Sequence, residues 1–259
     1  MKSAPAFWVE RLRKERRRRV KKAGRALLHG VSSFIARQST IGTGPLFLPS
    51  VFPWLGVFEA NWRSIRAELD AVLEFPDRLP AFQDISPDQK RISKGDRWKI
   101  FPFYVFGDPF EPNLERCPDT ASLLARVPNL RNAMFSILSP RYHIPPHQGP
   151  TNGVIRIHLG LIVPAGREVC RIRVGSEMLG WEEGRCVVFD DYYEHEVWND
   201  TDAPRVVLFF DVDRPLKPLG RVVNNLMLTA VKQSAYVKDA KRSARAWNAE
   251  YRRTTGAAS

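Results

Sequence analysis

The stretch VIRIHLGLIV occupies residues 154–163 and places Arg156 and His158 two positions apart in an otherwise aliphatic run. Successive side chains of a β-strand point to opposite faces, so Arg156 and His158 share one face and the aliphatic residues beside them share the other. Such a pair lies either on a solvated strand face or in a cavity. In a cavity, it predicts an anion-binding site.

Four further runs have the same β-branched or aromatic character, and turn residues separate them. They are AMFSIL (133–138), EVCRIRV (168–174), RCVVFD (185–190) and RVVLFFDV (205–212). Strands in antiparallel succession predict a mainly β fold, a sandwich or jelly roll with a cavity between its sheets.

The segments on either side of these strands have a different pattern. VFEANWRSIRAELDAVLEF (57–75) has helical spacing and predicts one amphipathic helix, and residues 119–127 predict a second, short helix. Residues 76–112 are rich in Pro, Gly and Asp, which predicts irregular structure around a short strand. Helical spacing returns from Leu219 onward. We therefore expect flanking N- and C-terminal helices.

Positive charge is concentrated at the two ends of the chain. Residues 1–30 carry a net +9 and residues 217–259 a net +7, whereas the whole chain carries +12, so residues 31–216 are mildly acidic. We divide the chain into a basic N-terminal arm (1–40), a folded body with an N-terminal helical subregion (41–216), and a basic C-terminal helix and tail (217–259).

The charge distribution argues against a nucleic-acid-binding protein, because such a domain carries its basic footprint on the folded body. The arm RLRKERRRRVKKAGR (residues 11–25) can attract an anionic membrane surface, contact nucleic acid or remain solvated. We favour the membrane surface, where each Lys or Arg contributes about 1 kcal/mol.

No run of apolar residues is long enough for a spanning helix, and no convincing secretory signal follows the arm. The three cysteines, Cys117, Cys170 and Cys186, have neither zinc-type nor paired spacing. These features predict a cytoplasmic protein without disulfides that can lie peripherally on the inner face of the membrane. The sequence leaves the oligomeric state open.

Histidine clustering is the strongest chemical signal, because four of the five histidines fall between positions 143 and 195. His147 lies in HIPPHQGPTNG and His195 in FDDYYEHEVWND, which we interpret as turn-rich links between strands, with both histidines at strand edges. Neutral imidazole is a common metal ligand, so His147 and His195 are candidate ligands. Two prolines separate His143 from His147 and exclude helical pairing, and we interpret His143 as a loop residue that can face substrate.

Non-haem Fe(II) oxygenases usually add a carboxylate two residues after the first histidine ligand, and that position is Gly149 here. Glycine has no ligating side chain. Either the site uses two histidines alone, or Asp190, Asp191 or Glu194 supplies a third ligand.

Three motifs resemble the aspartyl/asparaginyl β-hydroxylase family over about residues 131–215. They are the histidine, glycine and PTN of HQGPTN (147–152), RIHLGLIVP (156–164) and WEEGRCVVFDDYYEHEVWN (181–199). The resemblance implies a double-stranded β-helix, or jelly roll, for residues 41–216. It also implies Fe(II) on two histidines, with 2-oxoglutarate and O2 as co-substrates.

Carried over to matching positions, the resemblance makes His147 and His195 the metal ligands and Arg205 a further catalytic residue. It assigns Arg205 to the distal carboxylate of 2-oxoglutarate, assisted by the hydroxyl of Ser136. A guanidinium suits this task because it can grip a carboxylate through two parallel hydrogen bonds. The structural alternatives are an exposed strand-edge Arg205 and a small, inward-facing Ser136.

The same resemblance makes Arg156 and His158 contacts of 2-oxoglutarate. It implies a dioxygenase that hydroxylates an unactivated C–H bond. NWRSIRAELDAVL, DRWKIFPFYVFGDP and CPDTASLLARVPNLRNAMFSIL look similar to the branch that hydroxylates acyl chains of lipid A or ornithine lipids. We therefore favour the acyl chain of a membrane lipid as substrate. Two alternatives remain: β-hydroxylation of Asp or Asn in a peptide or free amino acid, and a non-catalytic cupin-like binding domain.

Overall fold

The structure is a computed structural model that describes residues 29–164, 166, 168–233, 242, 243, 246, 247 and 249. Most of the basic arm and most of the chain after residue 233 lie outside these residues. Within them, no helix combines the length and apolar character that crossing a bilayer requires.

Two antiparallel sheets form the body of the fold. The described strands, in chain order, are β1 (Leu46–Phe47), β2 (Trp98–Val105), β3 (Asp108–Pro109), β4 (Leu130–Leu138), β5 (Tyr142–His147), β6 (Val154–Ile162), β7 (Cys170–Val174), β8 (Glu177–Gly180), β9 (Cys186–Phe189), β10 (His195–Asn199) and β11 (Arg205–Asp213). The major sheet has the order β1-β9-β6-β11-β4-β2-β3 and the minor sheet β5-β10-β7-β8. The predicted jelly roll is therefore confirmed.

Helices precede and follow the strands. They are α1 (described over residues 29–37), α2 (Leu55–Ala60), α3 (Trp62–Leu73), α4 (Phe82–Ile85), α5 (Glu111–Arg116), α6 (Pro118–Leu124) and α7 (Pro218–Lys232), with short 3-10 turns at Pro49–Val51, Pro76–Arg78 and Pro87–Arg91. The predicted flanking helices are thus present among the described residues.

The two faces of the major sheet bury two apolar layers. On β6, Ile155, Ile157 and Leu159 pack with the helical side chains Ile65 and Leu69 in one layer. The second layer lies between the sheets and includes Met134, Ile144, Ile172, Val197 and Phe209. The period-two pattern of the strands thus separates a closed helix-covered face from a face that borders the cavity.

Two segments differ from the sequence-based expectation. The single helix predicted over residues 57–75 is two helices, because Asn61 ends α2 and its Nδ2 donates to the carbonyl of Val57 at 2.8 Å. An asparagine side chain that bonds nearby backbone competes with helix continuation. The segment 76–112 contains β2, an eight-residue strand that pairs with β4 along most of its length.

Cys117, Cys170 and Cys186 are all free and buried. The described part of the structure therefore agrees with the expectation of a chain without disulfides.

Candidate active site: a histidine pair beside an anion-binding pocket

His147 and His195 face each other at the junction of two paired strands. His147 is the last residue of β5, His195 is the first residue of β10, and the two are register partners. Their ring centroids lie 4.1 Å apart. The predicted position of both histidines at strand edges is therefore confirmed, although HIPPH (143–147), which we included in a turn-rich link, pairs as part of β5. Pro145 and Pro146 are tolerated since β5 is the edge strand of its sheet.

A bulge in β5 directs His147 into the cavity. The register shifts between the pairs Val197–Ile144 and His195–His147, so β5 carries one residue more than β10 between them. Ile144 and His147 therefore both line the cavity, although simple alternation would place them on opposite faces.

His143 points away from this cavity. It belongs to β5, its Nε2 lies 3.0 Å from Oε2 of Glu196, and its ring stacks on Trp198. Our interpretation of His143 as a substrate-facing loop residue was therefore wrong. Strand pairing with β10 places its side chain on the outer face of the minor sheet.

The hydrogen bonds of both histidines leave Nε2 free to bind a metal. Nδ1 of His147 is 2.9 Å from the carbonyl oxygen of Pro145, and Nδ1 of His195 is 2.9 Å from that of Tyr193. A carbonyl oxygen only accepts, so each Nδ1 carries the proton and donates it. The lone pair of each ring is consequently on Nε2, the atom left for coordination.

The surroundings keep both rings neutral. Burial, assisted by the neighbouring His195, lowers the pKa of His147 to about 4. Burial also lowers the pKa of His195, although the nearby Asp191 carboxylate opposes the shift. Neutral imidazoles are the form that binds a cation.

Asp191 occupies the space next to Gly149. A Cβ atom at Gly149 would lie 2.0 Å from Oδ2 of Asp191, so no side chain fits at position 149 without a rearrangement. Oδ1 of Asp191 lies 3.3 Å from Nε2 of His195 and also accepts from Arg156. The Asp191 carboxylate therefore adds negative charge beside the two Nε2 lone pairs, which attracts a cation to this position.

The other two acidic candidates are engaged elsewhere. Asp190 forms a buried ion pair with Arg214, and Glu194 pairs with Arg173 at 2.9 Å on the exposed side of the minor sheet. Across the described residues, no group of three or more His, Cys, Asp or Glu side chains is arranged to hold a metal ion. Of the three acidic candidates, Asp191 is thus the one that lies beside the histidine pair, where its carboxylate already accepts from Arg156.

Next to the histidine pair, Arg205 and His158 leave polar atoms unsatisfied. Arg205 is 1% exposed, and its Nε and Nη1 have no hydrogen-bond partner among the described residues. Both ring nitrogens of His158 are likewise buried without a partner there. Burial lowers the pKa of Arg205 to about 10 and that of His158 well below its ordinary value. Arg205 is therefore a buried cation that lacks its anion, a costly arrangement unless a ligand supplies one.

Ser136 presents its hydroxyl to the cavity that also contains Arg205. Nε1 of Trp98 donates to Oγ of Ser136 at 3.0 Å, so the hydroxyl proton is directed away from Trp98. Both Ser136 and Arg205 line the cavity. The guanidinium carbon of Arg205 also lies 4.5 Å from the ring centroid of Trp181, which is within the range of a cation–π interaction.

Arg156 faces the cavity with His158, as the alternation of β6 predicts. Its guanidinium, however, already bonds two carboxylates. Nε and Nη2 donate to Asp211, its register partner on β11, at 2.8 and 3.1 Å, and Nη1 donates to Asp191. In this arrangement, Arg156 orients Asp191 beside the histidine pair.

The cavity has a volume of about 280 Å³ and opens between the two sheets. Apart from the polar groups described above, much of its wall is apolar, and side chains of α4 and α7 complete it. The apolar lining includes Phe82, Ile85, Ile92, Ile100, Val105, Ile144, Ile172, Val197, Leu228 and Val231. A mostly apolar pocket with a few convergent polar groups is the usual form of a small-molecule site.

Sequence reasoning missed Trp98 and Asp211 as members of the site. The signal for Asp211 was present, because it is three alternations beyond Arg205 in RVVLFFD and shares its face. Trp98 had no such signal, since its bond to Ser136 depends on the pairing of β2 with β4.

The chain is similar in sequence to known hydroxylases. The family model for aspartyl/asparaginyl beta-hydroxylase matches residues 59–215. The ornithine lipid ester-linked acyl 2-hydroxylase of Rhizobium tropici is 42% identical over 215 residues, which cover 83% of this chain and 76% of that protein.

The human aspartyl/asparaginyl beta-hydroxylase is 37% identical over 162 residues, which cover 61% of this chain and 20% of that protein. An oxidoreductase of the 2OG-Fe(II) oxygenase family from Burkholderia pseudomallei aligns over 63% of this chain and 94% of that one, with a TM-score of 0.39 and 13% identity. The family model spans more than half of the chain, and the Rhizobium relative is matched over most of both sequences. The chain belongs to the aspartyl/asparaginyl β-hydroxylase family.

Proposed function

We propose that the protein is an Fe(II)- and 2-oxoglutarate-dependent dioxygenase that hydroxylates an unactivated C–H bond in the acyl chain of a membrane lipid. The observation that carries the proposal is the placement of a neutral histidine pair beside an unpaired buried arginine in an apolar cavity.

The residues present fit the metal. Nε2 of His147 and Nε2 of His195 would hold Fe(II), and Asp191 adds a neighbouring negative charge that Arg156 orients. Bound Fe(II) would supply the oxidising chemistry, in which 2-oxoglutarate loses CO2 and gains one atom of O2 to become succinate, while the other atom of O2 enters the substrate C–H bond. The backbone bonds at Nδ1 keep both imidazoles in the ligating tautomer.

The residues also fit the co-substrate. Arg205 is suited to bind the distal carboxylate of 2-oxoglutarate, and Ser136 is suited to donate its hydroxyl proton to the same group. Neutral His158 offers one N–H donor beside them. Burial of all three strengthens these bonds, since the cavity wall excludes water around them.

The cavity wall favours an acyl chain over an acidic side chain. Three of the cations that line it already have carboxylate partners: Arg131 with Asp213, Arg156 with Asp191 and Asp211, and Lys232 with Asp108. An Asp side chain as substrate would need a free cation near the histidine pair, but Arg205 is required for the co-substrate, and Arg91, the remaining cation of the described lining, is exposed to solvent. The acyl 2-hydroxylase activity named for the Rhizobium relative supports the same substrate class.

One assay separates this function from its alternatives. Purified protein with Fe(II), ascorbate and 2-oxoglutarate should release succinate when phospholipid or ornithine lipid is added in detergent, and mass spectrometry should find acyl chains heavier by one oxygen atom. Peptides with Asp or Asn, and the free amino acids, should give no comparable stimulation. Hydroxylation of those compounds instead of lipid would favour the β-hydroxylase alternative, and no succinate with any of them would favour a non-catalytic binding domain.

We further propose that the basic arm brings the enzyme to an anionic membrane. Deletion of residues 2–25 should weaken binding to anionic vesicles, because residues 1–30 carry a net +9. The catalytic domain begins after the deletion, so turnover of detergent-dispersed lipid should be unchanged. Sedimentation with anionic and neutral vesicles measures the effect.

Salt weakens polybasic attraction to lipid and to nucleic acid alike, so the same two proteins must also be compared on duplex DNA and RNA. If the basic arm binds membranes, its deletion should reduce binding to anionic vesicles more than it reduces binding to either nucleic acid. Equal vesicle binding with and without the arm would contradict the proposal that the arm brings the enzyme to the membrane.

A further inference from the structure

Helix α7 exposes an apolar stripe to solvent. Leu219, Val222 and Leu226 are 61%, 56% and 67% exposed, and they lie three and four residues apart on one side of the helix. They are three of the eight large apolar side chains that are exposed among the described residues. Exposure of this kind, concentrated on one helix, marks an interaction surface.

The other side of α7 is fixed to the catalytic body. Asn224 donates through Nδ2 to the carbonyl of Gly153 at 3.0 Å, and Gly220 is buried against Gln38. Toward the end of the helix, Leu228 and Val231 line the catalytic cavity. A single rigid helix therefore connects the exposed stripe with the wall of the cavity.

The charge around the stripe is positive. Lys217 and Arg221 are exposed at the start of α7, and no Asp or Glu occurs between Lys217 and Lys238. Residues 217–259 carry a net +7, whereas the body over residues 31–216 is mildly acidic. An apolar helix face bordered by Lys and Arg is the pattern of a helix that lies in the interface of an anionic membrane.

We infer that the stripe of Leu219, Val222 and Leu226 inserts into an anionic bilayer and holds the mouth of the cavity at the lipid surface. The inference rests on the proposed function, since a lipid substrate gives the cavity a reason to meet the bilayer. It differs from the proposed role of the basic arm. The stripe sets the orientation of the protein on the membrane by apolar insertion, whereas the arm supplies long-range electrostatic attraction.

The test replaces the stripe and a matched set of exposed apolar residues. One variant carries Leu219→Ser, Val222→Ser and Leu226→Ser. The control carries Val57→Ser, Val169→Ser and Met178→Ser, which remove three exposed apolar side chains elsewhere. Phosphatidylcholine vesicles with and without phosphatidylglycerol are sedimented with each full-length protein, at low and at high salt, and circular dichroism checks folding.

We expect the stripe variant to bind the anionic vesicles about tenfold or more weakly than the unsubstituted protein, because three apolar side chains no longer leave water. The loss should persist at high salt, where the contribution of the arm is screened. The control variant should bind as the unsubstituted protein does.

Equal binding by the stripe variant, equal losses in both variants, or no vesicle binding by any of the proteins would overturn the inference. A dimer of the unsubstituted protein that dissociates in the stripe variant, with vesicle binding kept, would also overturn it and make the stripe an interface between copies. Turnover of detergent-dispersed lipid should be the same in all three proteins. If none of the three proteins turned over lipid, the proposed function would be contradicted. The vesicle result would still decide whether the stripe inserts into the membrane.

Discussion

His147→Ala and His195→Ala should each abolish iron binding and turnover. The site offers two histidine ligands, and Asp191, the acidic side chain beside them, is already paired with Arg156. Loss of a group that only orients a ligand costs about 10- to 100-fold in metal affinity, so loss of a ligand itself should cost more. Iron content after anaerobic loading and succinate release measure the two effects.

His143→Ala is the matched control for this prediction. His143 lies on the same strand as His147, but it faces outward and contacts Glu196 and Trp198. It should keep full iron content and turnover. Full activity of His147→Ala or of His195→Ala would contradict the assignment of these histidines as metal ligands.

Arg205→Ala should sharply raise the concentration of 2-oxoglutarate that the enzyme needs. The substitution leaves the distal carboxylate of 2-oxoglutarate in a buried site without its cation, and a broken buried charge pair typically costs about 2–5 kcal/mol. That cost corresponds to a roughly 30-fold to several-thousand-fold weaker affinity. Titration of 2-oxoglutarate into the anaerobic Fe(II) protein measures it directly.

Arg131→Ala provides the comparison. Arg131 also lines the cavity, but its Nε and Nη2 already donate to Asp213 at 2.7 and 2.6 Å. Its removal should leave the affinity for 2-oxoglutarate nearly unchanged. If both variants bound 2-oxoglutarate as the unsubstituted protein does, the co-substrate would have to occupy another part of the cavity.

The strands with plain alternation could be predicted from sequence. β6 alternates Arg156 and His158 with aliphatic residues, and β11 contains the apolar run VVLFF, so both strands could be predicted, and the shared face of Arg156 and His158 followed from a period of two. The family resemblance then supplied candidate roles for His147, His195, Ser136 and Arg205, which the structure brings to one cavity. Their roles as ligands and contacts stay predictions.

Other features depended on contacts between distant segments. β5 contains two adjacent prolines, which argue against a strand unless its position at a sheet edge is known. The bulge that turns His147 inward exists only in the pairing of β5 with β10. Gly149 likewise looked like a missing ligand, and only the folded chain shows that Asp191 fills the space beside it.

The hydrogen bonds that orient the two imidazole rings affect which sequence changes the site can tolerate. Both Nδ1 atoms donate to a carbonyl two residues earlier in the same chain segment, at Pro145 and at Tyr193. Every amino acid carries a carbonyl, so replacing either neighbour leaves the acceptor in place. Substitutions of the surrounding side chains therefore leave the orientation of the rings unchanged. The cavity wall can change to suit another substrate while the geometry of the pair is inherited intact.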